Sequence, residues 1–112
     1  NNMSQKANLI VDQGATFDVT LNLENDDGTA FDLSNYAGDA QLRKYYTSAS
    51  NTDFTVTLGG ANGTIRLQLS AALTANLADG KYVYDVNIQH TTSNAVIRVL
   101  EGTVTVTPQV TR

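Results

Sequence analysis

The chain has no cysteine, no tryptophan, one proline and one histidine in 112 residues. Without cysteine, neither a disulfide nor a thiolate-bound metal can hold it together, so folding must rest on an apolar core. A single histidine leaves a nucleophile–base–orienter arrangement short of its usual base. His90 falls in the polar stretch "HTTSN" and reads as a solvated turn residue. Lys and Arg number seven against eleven Asp and Glu, for a net charge of -4, and they form no basic run. A surface of that sign repels phosphate backbones, which argues against nucleic acid as a partner. No apolar run approaches the roughly 20 residues of a membrane span. No signal-peptide pattern is present, and the opening "NNMSQ" reads in part as expression remnant, with Met3 the natural start.

What is present is alternation. Hydrophobic residues at 41% and charged residues at 16% suit a folded chain, and the length suits one domain. "TFDVTLNL" puts Phe17, Val19, Leu21 and Leu23 on one face, the mark of a half-buried strand. "DFTVTL" and "TIRLQL" repeat the pattern around "GGANG" and read as a hairpin. "ANLIV" and "AGDAQLRKYY" supply a first and a third strand, "KYVYDV" another, and "AVIRVLEGTVTVT" a last long one. Gly102 interrupts that last run, as a bulge or a close backbone approach does. "SAALTANL" is helical for about two turns, with Ser70 as cap and Leu73 and Leu77 on the core side.

About seven strands and one short helical connector predict an all-β chain, an antiparallel β-sandwich of immunoglobulin-like form, with a small closed barrel as the alternative. The expected layout is a flexible tail or expression remnant over 1–6, a single sandwich domain over 7–107 and a C-terminal tail over 108–112.

Within "LADGKYVYDV", Asp79, Gly80 and Tyr82 resemble the corner that leads into the sixth strand of such sandwiches. Tyr84 stands where an antibody domain carries its second cysteine. The alternative is a plain turn followed by an aromatic-rich strand; in both cases these residues are structural. Elsewhere, "ENDDGTAFD" gathers Glu24, Asp26, Asp27 and Asp32, but not in the alternating order of a calcium loop, and reads as a solvated turn. In "RKYY", Tyr45 and Tyr46 point to opposite faces; outward Tyr45 beside Arg43 has the composition of a contact surface, and the alternative is a tyrosine lying along the rim of the sheet. Arg98 interrupts an apolar strand near Glu101 and could reach Asp85 across strands. No motif for catalysis, metal or cofactor binding is present, and the expectation is a protein that is not an enzyme.

The order of these pieces carries a resemblance. Gln13-Gly14 precedes the first long strand, and "DGTAFDLSNY" precedes the Arg43 strand. A Leu-Thr-x-x-Leu-x-x-Gly-x-Tyr-x-Tyr-Asp run spans Leu73 to Asp85, and Arg-x-Leu-Glu-Gly-x-Val-x-Val ends at Val106. From Val11 onward the chain resembles small immunoglobulin-like modules of tailed-phage virions. It is similar to the N-terminal domain of phage baseplate upper proteins and to short virion proteins of T-even-like cyanophages. The resemblance implies a virion component assembled in the host cytoplasm, without cofactor, that contacts other virion proteins or further copies of itself. A carbohydrate-binding or adhesin-type module is the alternative, although a sugar platform commonly uses tryptophan. The polar ends "NNMSQKA" and "TPQVTR" are candidates for segments that order on assembly.

Overall fold

A computed structural model of the protein describes residues 5–44 and 52–108. In chain order the elements are β1 (Gln5–Lys6), β2 (Leu9–Asp12), β3 (Phe17–Asn22), β4 (Tyr36–Arg43), β5 (Thr52–Asp53), β6 (Thr55–Leu58), β7 (Thr64–Leu69), α1 (Ala71–Ala75), β8 (Gly80–His90) and β9 (Val96–Thr107). Alternation along these strands sorts apolar from polar residues, which lets two sheets stack on one core. One sheet runs β1-β9-β8-β4-β5, with β2 also on β9, and the other runs β3-β7-β6. Val11, Ile65, Leu67, Val86, Ile88, Val99 and Val104 are fully buried between them.

The fold is an all-β sandwich. The hairpin expected around "GGANG" is β6–β7, antiparallel with Leu58 opposite Ile65. The first strand differs from expectation. It is split, and both pieces run parallel to β9, with Gln5 opposite Leu100 and Leu9 opposite Val104. Gln5 and Lys6, assigned above to the tail, therefore belong to the sheet. Their route depends on Gly102, where a Cβ would stand 2.1 Å from the Ala7 carbonyl oxygen. The chain crosses β9 directly over that glycine. The Ala7 amide donates to Glu101 O at 3.1 Å, and Asn8 Oδ1 accepts from the Thr103 hydroxyl at 3.0 Å.

The irregularity read from Gly102 resolves into two features. The close approach is at Gly102 itself, and the bulge lies three residues earlier. Val86 pairs with Leu100 but Asn87 with Arg98, which leaves Val99 as the extra, fully buried residue.

The connector α1 is capped as expected, the Ser70 hydroxyl accepting from the Leu73 amide at 3.2 Å. Leu73, however, is 42% exposed, and Thr74 takes the inward position beside buried Leu77. A helix of five residues presents one narrow face, and a hydroxyl there answers a specific need. Thr74 Oγ1 donates to Ala15 O at 2.8 Å and accepts from the Gly14 amide at 3.1 Å, tying down the bend between β2 and β3.

Replacing Gly102 by Ala forces backbone to move from backbone. The expected loss is about 1–3 kcal/mol in urea unfolding, the range of core overpacking. A loss within error of zero would show that the crossing is loose.

Candidate functional site

The corner residues hold the fold. Gly80 has φ 130, a conformation other residues resist, and it turns the chain into β8. Tyr82 then donates its hydroxyl to Ala78 O at 2.7 Å, back across the turn, in the manner of a tyrosine corner. Lys44 Nζ lies 4.9 Å from the centre of the Tyr82 ring, a cation–π contact that joins the end of β4 to the corner. Asp79 is exposed beside it. Burial raises the Tyr82 pKa, the bond to Ala78 opposes that, and the charge of Asp79 adds to the rise.

Tyr84 is 1% exposed. Its ring meets Phe54 edge-on at 6.2 Å, and Phe54 meets Phe17 at 5.9 Å. Three rings thus bridge the two sheets where an antibody domain has its disulfide. The Tyr84 hydroxyl donates to Ala7 O at 2.8 Å, and burial pushes its pKa up to about 12.

The surface best equipped for contact is the outer face of β4, β8 and β9. Pairing sets Gln41 opposite Asp85 and Asp85 opposite Glu101, and the bulge at Val99 brings Arg98 to the same face. Arg98 lies 3.5 Å from Asp85 and 3.8 Å from Glu101. Asn87 Nδ2 donates to Asp85 Oδ1 at 3.2 Å, and Arg43 donates to the Gln41 side chain. The Arg98 side chain is 50% exposed, so its ion pairs contribute under about 1 kcal/mol. Asp85 is only 9% exposed, and there the partners are needed to offset desolvation. The result is a set of side chains already held in place on a solvent-facing sheet. At the β4 end a depression of about 340 Å³ is lined by Ala37, Asp39, Asn87, Gln89 and Val96 together with the backbone around Gly38 and Ile88.

Arg43 sits on this face, and Tyr45 and Tyr46 lie outside the described residues. The acidic stretch is spread along a turn. Asp27 Oδ1 accepts from the Thr29 amide at 3.0 Å, and Asp32 Oδ1 accepts from the Ser34 amide at 2.9 Å. Hydrogen bonds from the Thr29 and Ser34 side chains, then their amides, hold both carboxyls below the usual range. His90 Nδ1 accepts from the Thr92 and Ser93 amides, both at 3.2 Å, and its ring stands edge-on to Tyr36. Sequence reasoning missed the roles of Thr74, Lys44 and Val99, each of which depends on partners distant in the chain.

No family model and no curated protein matches the chain. Among solved structures it is similar to the crystal structure of Listeria monocytogenes InlP, at 19% identity and a TM-score of 0.52. That match covers 94% of this chain and 28% of the other, so the protein spans well under half the length of that neighbour. It is also similar to the Lin-41 filamin domain, at 15% identity and a TM-score of 0.46, over 88% of this chain and 82% of that one. The sheet order β3-β7-β6 against β9-β8-β4 corresponds to strands B-E-D against G-F-C. The fold is an immunoglobulin-like sandwich. The likeness to InlP bears on fold alone.

The raised Tyr84 pKa has a pH consequence. The folded form holds the phenol proton more tightly than the unfolded chain, whose tyrosines titrate near 10. That contribution to stability is complete below pH about 10 and is lost as pH rises through about 12. Urea midpoints followed across this range are expected to fall more in the wild type than in Tyr84→Phe. Parallel declines would show that Tyr84 titrates normally.

Proposed function

We propose that the protein is a non-enzymatic structural component of a tailed-phage virion that works by protein–protein contact, at the baseplate, tail, neck or capsid surface. The observation that supports contact is the outer face of β4, β8 and β9, where Arg43, Gln41, Asp85, Asn87, Arg98 and Glu101 are already engaged with one another. Side chains fixed before binding lose less freedom on docking, and arginines are favoured anchors. The motif order from Val11 to Arg112 supports the virion setting. Partners are other virion proteins or copies of the same chain, with no cofactor, nucleic acid or membrane.

A carbohydrate-binding module is the second reading. It draws on the depression beside Val96, where Asp39, Asn87 and Gln89 offer hydrogen-bonding groups around an apolar side chain that is 63% exposed. The second lacks a stacking ring among the described lining residues.

Purified particles made with wild-type protein are expected to contain it in fixed stoichiometry by quantitative mass spectrometry. Arg43→Glu, which leaves the Arg98–Asp85 pair intact, is expected to lower incorporation roughly tenfold or more, with thermal unfolding little changed. Wild-type protein absent from particles refutes the virion reading. Undiminished incorporation of the variant removes this face from it. Selective retention on a glycan array, lost in Asp39→Ala, would favour the carbohydrate reading.

A further inference from the structure

Strand β3 has one strand neighbour among the described residues, β7, with Phe17 opposite Leu69 and Asn22 opposite Thr64. The Leu23 amide donates to Gly63 O. By the alternation of an antiparallel ladder, Leu21, Val19 and Phe17 then aim their backbone groups at β7. Asp18, Thr20 and Asn22 aim theirs away from the sheet, three N–H and three C=O groups in a row. Exposed edges in natural sheets are commonly guarded by proline, lysine or a bulge. β3 has none of these in its six residues, and its pairing with β7 is in unbroken register. Val19 and Leu21, whose side chains belong to the core face, are left half-exposed by the missing neighbour.

We infer that this edge pairs with β3 of a second copy of the chain, antiparallel, about a two-fold axis through Thr20. The register follows from the backbone groups. Thr20 faces Thr20 of the second copy, and Asp18 faces its Asn22, as hydrogen-bonded pairs that satisfy all six outward groups on each strand. The side chains agree with the same register. Asp18 meets an amide and not a second carboxylate, and its charge is already matched by Arg66 at 2.6 Å. Thr against Thr is a favourable cross-strand pair. Val19 faces Leu21 of the second copy on the core side, so the half-exposed apolar seam of each sandwich is covered by the other. The two three-stranded sheets become one of six strands. A one-residue slip would aim the outward groups of one strand at a position where its partner offers none. The pairing stands on β3 alone and is independent of where the protein is finally incorporated.

Light scattering across a wide range of concentration, together with residue-level amide exchange, tests it on the full chain. The expected result is a monomer–dimer equilibrium in which the Asp18, Thr20 and Asn22 amides become protected as the dimer forms. Thr20→Pro removes the central N–H without touching a bond to β7, and is expected to abolish the dimer. Asn22→Asp places a carboxylate opposite Asp18 twice per dimer and is expected to raise the dissociation constant roughly fivefold, less so in high salt. Because Asn22 is exposed, this variant decides the matter even if Thr20→Pro fails to fold. A monomer at every concentration overturns the proposal. So does a dimer in which those three amides stay unprotected or which Asn22→Asp leaves unchanged.

Discussion

The contact on which the arrangement turns is the Tyr84 hydroxyl donating to Ala7 O above a residue with no side chain. Three conditions meet there. Tyr84 is buried with its ring against Phe54. Gly102 opposite Tyr84 leaves room for the Ala7 carbonyl. The Ala7 amide is held by Glu101. A buried phenol needs an acceptor, and a backbone carbonyl passing over a strand needs a donor. Each meets the need of the other, and together they commit the first strand to β9.

That commitment decides which edges the sandwich shows. In immunoglobulin-like folds the first strand can lie on the B-E-D sheet or on the G-F-C sheet. Here β1 and β2 both lie on β9, at the edge of the larger sheet. The edge of the smaller sheet, β3, is left without that cover. The same sheet that gains the first strand also carries the ordered polar face around Arg98 and Arg43. The sandwich therefore shows two distinct kinds of surface. One offers backbone groups in a row, and the other offers charged side chains held in advance.

Much of this was legible because it is local. Alternation from Phe17 to Leu23 and from Ile65 to Leu69 marks strands whatever surrounds them, and Asp79-Gly80-x-Tyr82 carries its corner within four residues. Gly102 signalled a bulge or a close approach, because a glycine inside a strand has few other reasons to be there, and the close approach is what stands at that residue. The Arg98–Asp85 pair could be named from sequence, but its distance depended on a bulge at Val99 that no pattern announces. What stayed hidden depends on distant partners. The parallel pairing of β1 and β2 is a choice of edge, and "ANLIV" reads the same on either sheet. Thr74 replaced Leu73 on the inner face because the corner at Gly14 and Ala15 needed a hydroxyl, and those residues are about sixty positions away. That β3 has a single strand neighbour among the described residues follows from a strand that went elsewhere, so no residue within β3 records it.

The central claim is that the Tyr84 hydroxyl fastens the first strand to β9. Amide exchange at Ala7, compared between the wild type and Tyr84→Phe, tests it most directly. The aromatic ring and its packing remain in the variant, and only the bond to Ala7 O is removed. The account predicts that Ala7 exchanges about fivefold to tenfold faster, the effect of one net hydrogen bond, while amides in the centre of β7 stay as protected as before. An unchanged rate at Ala7, or an equal acceleration at Leu67, would contradict it.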